Sequence, residues 1–241
     1  MKFVAISDVH IKHSQDDASH LLIKFFNHPE TQSADRVFLL GDIFDLMCGP
    51  HSKYFDRFSD VFGAMEKLII DGKEIHYTEG NHDLHLTALF RKHPTLKKII
   101  VHKKPIEFET DGKIFYLSHG DEHELDNPAY HRYMKIINSA PLTFVANNIM
   151  PLAVLDWIGN RASKISRKKG ARSFDAEKVR NKFRSGVEST LQGKADIIIG
   201  GHSHVKDDYQ SEGLRYLNNG YAQNSKTFIK VENGEVSFPS I

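Results

Sequence analysis

The stretch Lys2-Phe3-Val4-Ala5-Ile6-Ser7-Asp8-Val9-His10 decides the reading of this 241-residue chain. A short β-rich apolar run ends abruptly in an Asp-x-His pair, and the same grammar recurs four more times. Val37–Leu40 leads to Gly41-Asp42-x-x-Asp45, and Ile75–Tyr77 leads to Gly80-Asn81-His82-Asp83. Ile114–Leu117 leads to Ser118-His119-Gly120-Asp121, and Ile197–Ile199 leads to Gly200-Gly201-His202-Ser203-His204. The runs are continuous rather than alternating, as expected of strands covered on both faces in a layered α/β domain. Helical spacing over 16–27 and 54–70 separates them, with Asp71-Gly72 as a stop signal.

In open α/β sheets, ligands gather outside the carboxyl ends of the strands, so residues far apart in sequence converge there. Glycines beside them let the backbone turn where each strand ends. The converging donors are carboxylates, imidazoles and one Asn amide, without a thiolate. That set suits Mn²⁺, Fe or Zn²⁺ in a reactive site rather than a structural zinc. Seven donors exceed what one catalytic ion takes from protein, whereas two ions about 3.5–4 Å apart sharing a carboxylate would use them all.

Composition sets bounds around this. With 32 Lys+Arg against 31 Asp+Glu, the net charge of +1 argues against a wholly basic nucleic-acid binder or an acidic disordered tail. The total conceals an asymmetry: residues 161–184 carry ten basic and two acidic residues, a net of +8, and the remainder is −7. The single cysteine, Cys48, excludes an intrachain disulfide and a Cys-based zinc framework. The start reaches Asp8 and His10 too soon for a signal-peptide apolar region. The apolar-rich stretch 142–158 is interrupted by Asn147, Asn148, Pro151 and Asp156 and falls short of a membrane span. The expectation is a cytoplasmic chain. From Glu122 to about Gly193 the sequence turns helix-like without clear strands, then the strand pattern resumes. The expected organisation is an α/β core over 1–122 and 193–241 with a helical insertion over 123–192.

The series D-x-H, G-D-x-x-D, G-N-H-D, H-G-D and G-H-x-H, in that order, resembles the calcineurin-like binuclear metallophosphoesterases over about 1–121 and 194–241. The resemblance implies a four-layer α/β sandwich and two divalent ions, Mn²⁺ first among them. It implies Asp8, His10 and His204 on one ion, Asn81, His119 and His202 on the other, and Asp42 bridging. His82 matches the catalytic histidine, with Asp45 and Asp83 orienting the donors. A hydroxide generated between two cations would attack phosphorus in line, and His82 would stabilise the equatorial oxygens or protonate the leaving group.

After the fourth motif, Asp126-Asn127-Pro128-Ala129-Tyr130-His131-Arg132-Tyr133 is similar to the D-D-x-x-Y-x-x-F/Y pattern of the UDP-2,3-diacylglucosamine hydrolases of lipid A biosynthesis. Those enzymes place a helical lid at this point and cleave a nucleotide-linked lipid to UMP and a lipid phosphate. On that resemblance Asp126, Asn127, Tyr130, Lys164 and Lys169 are the candidate substrate contacts. The apolar residues of the insertion would receive acyl chains or touch the inner face of the cytoplasmic membrane. Two departures keep other substrates open: His82 stands where those enzymes have Arg, and Val205-Lys206 follows His204 where they have Arg-Pro. The alternatives are a phosphodiesterase or nuclease of the same superfamily, with the basic run as a nucleic-acid groove, and a non-catalytic scaffold relative. The other ten histidines are read as surface or core residues, and Cys48 as a small residue near the site.

Overall fold

In the computed structural model, which describes residues 1–159, 161 and 174–241, the five apolar runs are strands that alternate inward and outward across two packed sheets. The strands are β1 (Lys2–Ile6), β2 (Arg36–Leu40), β3 (Met47–Cys48), β4 (Glu74–Thr78), β5 (Asp83–Leu84), β6 (Ile100–His102) and β7 (Ile106–Thr110). They continue with β8 (Lys113–Leu117), β9 (Ile197–Gly200), β10 (Lys206–Ser211), β11 (Leu214–Asn219), β12 (Ile229–Glu232) and β13 (Glu235–Ser237). One sheet runs β13-β12-β1-β2-β4-β6, the other β10-β11-β9-β8-β7, and β3 pairs with β5. Around the site the neighbours are parallel: β1 with β2, β2 with β4, and β8 with β9.

Strand alternation explains the layers. Phe3, Ala5, Phe38 and Leu40 from the first sheet meet Phe115, Leu117, Ile197 and Ile199 from the second, forming the core between the sheets. Phe3 sits edge-on to Phe38 and Phe115 at ring separations of 5.3 and 5.4 Å. The intervening residues Val4, Ile6, Val37, Leu39, Ile75 and Tyr77 face the opposite way, into Leu22, Phe25, Val61, Met65 and Leu68 of the helices Asp17–Asn27 and Ser59–Ile70. On the far side, Tyr116, Ile198 and Tyr216 pack against Phe183, Val187 and Leu191 of the helix Ala176–Leu191. The result is the four-layer α/β/β/α sandwich that the family resemblance implies.

Helix ends follow local chemistry. Asp16 caps the first helix by accepting the Ser19 N–H at 2.7 Å. The single helix expected over 54–70 is instead two, Lys53–Arg57 and Ser59–Ile70, which meet at Phe58 with φ −123° and ψ 33°. Burial decides that break: Phe58 turns into the core, and the buried Tyr54 hydroxyl accepts from the Cys48 N–H at 3.2 Å.

The segment after the fourth motif is helical among its described residues, with helices at Pro128–Ile137, Ala140–Asn148, 152–159 and Ala176–Leu191. The last of these supplies the outer layer over the second sheet, although it falls within the range expected for the insertion. Among the described residues, no helix is long and apolar enough to cross a membrane.

Candidate metal centre

All of the predicted donors outside the insertion come together at the carboxyl ends of β1, β2, β4, β8 and β9. The loop after β1 is laced to the loop after β2 by Asp8 N–H to Gly41 O (3.2 Å), His10 N–H to Asp42 O (3.0 Å) and Ile11 N–H to Ile43 O (2.9 Å). Within the second sheet Gly201 N–H bonds His119 O at 2.7 Å, and that sheet is tied to the first by the His202 N–H, which points at both Asp8 carboxylate oxygens at 3.1 Å.

Five of these residues hold a left-handed backbone that non-glycine residues seldom adopt: Asp8 (φ 54°), His10 (54°), Asp42 (54°), His202 (64°) and His204 (57°). Each such residue costs on the order of 1–3 kcal/mol and persists only where its surroundings over-determine it. Asp and His tolerate the region better than most side chains, which puts them toward the lower end. Their concentration at one spot marks a place where side-chain direction outranks backbone comfort. Close approach matters too: a Cβ on Gly80 would collide with Asp42 Oδ1, and one on Gly201 would lie 2.5 Å from Asp8 Oδ2.

The donor atoms fall into two facing groups. Ligand atoms of Asp8, His10, Asp42 and His204 all lie within 4.8 Å of one another. His10 Nε2 and His204 Nε2 are 3.1 Å apart, and His204 Nε2 is 3.3 Å from Asp8 Oδ1. In the second group Asn81 Oδ1 lies 3.1 Å from both His119 Nε2 and His202 Nδ1, and those two nitrogens are 3.2 Å apart. Asp42 stands between: its Oδ2 is 3.7 Å from His10 Nε2, and its Oδ1 is 3.7 Å from His119 Nε2. Asp42 Oδ1 also accepts the N–H groups of Asn81 (3.0 Å) and His82 (2.9 Å), which fixes the loop carrying both residues.

The remaining ring nitrogens are turned outward. His119 donates its Nδ1–H to Leu40 O at 3.0 Å, and His82 donates its Nδ1–H to Asp45 O at 2.7 Å. The Asp45 carboxylate reaches His10 Nδ1 at 3.6 Å. Asp83 holds the loops rather than facing the donors: its two oxygens accept from the N–H groups of Asp42 (3.0 Å), Ile43 (2.8 Å) and Gly80 (2.9 Å) and from the Tyr77 hydroxyl (2.5 Å).

Electrostatics agree with a cation site. Burial would raise the Asp42 pKa, but His82, His119, His10 and His202 outweigh it and hold the carboxyl far below its usual range. Burial would lower His119, yet Asp42, Asp121 and Asp8 push it up to about 9. His204 is likewise raised, because its bond to Asp8 outweighs burial. A field strong enough to hold protons on buried imidazoles, surrounding oxygen and nitrogen donors with no thiolate, fits borderline and hard divalent ions.

The predicted substrate contacts are placed unevenly. Tyr130 lies over the site, its ring 5.4 Å from that of His202, with its hydroxyl donated to Asp121 Oδ2 at 3.1 Å. Asn127 caps the helix Pro128–Ile137 by accepting the Tyr130 N–H at 3.1 Å. Asp126 is exposed and paired with Lys182 at 2.5 Å. Lys164 and Lys169 lie outside the described residues. Two neighbours of the donors carry no sequence signal: Tyr221 stacks on His204 at 5.4 Å, and Glu124 reaches the outer nitrogen of His202. Neither belongs to a spaced motif, so only the fold reveals them.

A four-layer α/β sandwich with such donors at its parallel strand ends defines the class of the protein: a metal-dependent phosphoester hydrolase. The chain belongs to the calcineurin-like phosphoesterase family, whose model matches residues 1–206. It is similar to the UDP-2,3-diacylglucosamine hydrolase of Haemophilus influenzae strain PittGG, at 25% identity over 246 residues covering 97% of this chain and 96% of that one. The enzyme of that name from Neisseria meningitidis serogroup B is 24% identical over 213 residues, covering 87% and 85%. Among solved structures, an archaeal phosphodiesterase aligns over 100% of both chains at 16% identity with a TM-score of 0.46.

Proposed function

We propose that the protein hydrolyses the pyrophosphate of a nucleotide-linked lipid, UDP-2,3-diacylglucosamine or a close analogue, releasing UMP and a lipid phosphate. The reading takes Asp8, His10 and His204 as holding one ion, Asn81, His119 and His202 the other, and Asp42 as shared between them. Two divalent ions held there, Mn²⁺ in this proposal, would supply Lewis acidity toward water and charge neutralisation toward phosphate oxygens. The protein's own contribution is orientation and one proton. His82 is anchored through Nδ1 on Asp45 O, which leaves Nε2 toward the site, 4.0 Å from Asp42 Oδ2. Burial would lower the His82 pKa, but Asp42 and the bond to Asp45 raise it overall, which favours the protonated ring; in this reading Nε2 faces the leaving oxygen as its proton donor. Retention of all seven donors favours hydrolysis over a scaffold role.

The lipid part of the proposal is carried by one observation. Ten of the thirteen exposed large apolar side chains among the described residues fall between 125 and 174, including Phe144, Ile149 and Trp157 at 59, 64 and 64% exposure. Exposed apolar side chains concentrated in one segment are suited to receive an apolar ligand. The segment borders the site: Asp156, clasped by Arg57 at 2.7 and 2.9 Å, lines one cavity with Asp45, and Gly49 approaches the Ala146 carbonyl so closely that a Cβ would lie 2.9 Å from it. In this reading the helices of the segment 123–192 that precede residue 160 form a lid and receive acyl chains at the cytoplasmic face of a membrane, while the helix Ala176–Leu191 belongs to the sandwich. Incubation with UDP-2,3-diacylglucosamine and Mn²⁺ should yield UMP. Brisk cleavage of bis(p-nitrophenyl) phosphate without UMP would discard the lipid substrate and leave the metal centre standing. The histidine at position 82 favours a second reading, a phosphodiesterase or nuclease, which strongly salt-dependent DNA binding would support.

A further inference from the structure

The His202 ring is held from two sides. Its Nδ1 points at Asn81 and His119, while its Nε2 lies 3.3 Å from Glu124 Oε2. For Nδ1 to offer a lone pair to an ion, the ring proton must sit on Nε2, and a carboxylate there accepts it. Glu124 is itself fastened. Lys182 Nζ donates to its other oxygen at 2.8 Å, and its backbone carbonyl accepts from His131 Nε2 at 2.9 Å. The turn that bears Glu124 presses on the helix Ala176–Leu191 so tightly that any Cβ at Gly186 would collide with the His123 carbonyl. Tyr130 and Phe183 flank the imidazole at ring separations of 5.4 and 6.0 Å.

We propose that Glu124, braced by Lys182, is a positioning residue that fixes the orientation and tautomer of His202 so that its Nδ1 faces the ion held with Asn81 and His119. The inference rests on the metal-site reading given above and deepens it. Carboxylate partners of this kind set both the direction and the basicity of an imidazole ligand, and losing one weakens metal affinity 10–100-fold on the order of magnitude found for such contacts. Lys182 compensates the buried part of the Glu124 charge, which spares the imidazole from having to carry it.

The test is equilibrium dialysis of the metal-stripped full chain against Mn²⁺, with Co²⁺ as a spectroscopic probe and apo-protein melting as a fold control. Wild type should take up two ions. Glu124→Ala should retain one ion at wild-type affinity and bind the other roughly 10–100-fold more weakly, with an altered Co²⁺ visible spectrum. Glu124→Gln keeps the shape and one accepting oxygen, so it should fall between them and gives a reading even where the alanine variant folds poorly. A purely structural ion pair would move the melting temperature and leave ion count and spectrum unchanged, and that result overturns the inference. Wild type that binds fewer than two ions would overturn the metal-site reading itself and this inference with it.

Discussion

Gly201 offers a perturbation whose magnitude can be worked from the coordinates. A Cβ at this position would lie 2.5 Å from Asp8 Oδ2, 2.6 Å from Ser7 Oγ and 2.7 Å from Ser7 Cβ. Ordinary contact begins near 3.4 Å, so the Asp8 carboxylate or the residue 201 backbone must give way by about 0.9 Å. The backbone has little freedom to yield: Gly201 N–H is bonded to His119 O at 2.7 Å, and Gly201 O accepts from Asn218 Nδ2 at 2.7 Å. The displacement therefore falls on Ser7 and Asp8, both fully buried and joined by the Ser7 hydroxyl donating to Asp8 Oδ2 at 2.6 Å, so Asp8 moves with either. Metal sites tolerate donor shifts of about 0.2 Å, and misplacement near 1 Å in a catalytic constellation costs on the order of 10²-fold in rate. Gly201→Ala should lose the ion on the Asp8 side and about 10²-fold in kcat/KM on bis(p-nitrophenyl) phosphate, while overpacking costs roughly 1–3 kcal/mol of stability. Gly63→Ala is the control. It lies in the helix Ser59–Ile70 with nothing within 4 Å of a new Cβ, so it should gain about 0.5–1 kcal/mol and leave hydrolysis unchanged. Metal content, steady-state kinetics and thermal melting measure all three quantities. Two bound ions and undiminished turnover in Gly201→Ala would refute the argument that this glycine is required by the approach of Asp8.

Other outcomes follow from the same contacts. His82→Ala should keep both ions and lose most turnover, whereas Asp42→Ala should lose both properties; full turnover in the first variant removes His82 from its assigned role. Uptake of an ion by His119, whose pKa the neighbouring carboxylates push up to about 9, should release a proton, so Mn²⁺ added to weakly buffered protein at about pH 7.5 should acidify the solution. Burial depresses His76, and burial together with His76 depresses His102, 2.9 Å away. A histidine with a lowered folded pKa contributes stability above its unfolded value of about 6.5 and loses it as pH falls below that. Wild type should therefore lose more stability between about pH 6.5 and 5 than His76→Phe. Arg57→Ala removes a bidentate clasp on Asp156 worth roughly 1 kcal/mol, so amide exchange in 152–159 should quicken about fivefold; unchanged exchange would show that the clasp does not hold that helix.

What could be read from the sequence, and what could not, follows from burial geometry. The runs at Phe3–Ile6, Val37–Leu40 and Ile197–Ile199 are legible because those strands are covered on both faces, so every position is apolar. β10 (Lys206–Ser211) and β7 (Ile106–Thr110) lie at the edges of their sheet and carry alternating or polar residues, which a search for continuous apolar runs passes over. The break at Phe58 depends on tertiary burial that helical spacing does not encode. At the site, the candidate donors could be picked out because each follows a strand. Their left-handed backbone, the clamp of Asp83 on three loop N–H groups and the approach of Glu124 to His202 are properties of loops brought together from different motifs. No spacing within one motif contains that information.

The basic run illustrates the difference between charge counted and charge available. Read as sequence, residues 161–184 form a +8 block suited to an anionic substrate. In the folded chain, the cations on the helix Ala176–Leu191 are largely spent on internal partners. Lys182 is bound to Glu124 at 2.8 Å and to Asp126 at 2.5 Å, Arg184 grips Asp207 at 2.6 and 2.8 Å, and Arg180 pairs with Glu177. Asp207 is almost fully buried, so its pair with Arg184 fastens the helix to β10 instead of leaving a cation for solvent or substrate. These charges bind the outer layer to the sheet and, through Glu124, reach the metal centre. The other six of the ten basic residues precede Asp175 in the sequence. Asp175 marks where the internally paired part of the block begins, capping the helix by accepting the N–H groups of Glu177 and Lys178 at 3.0 and 3.1 Å.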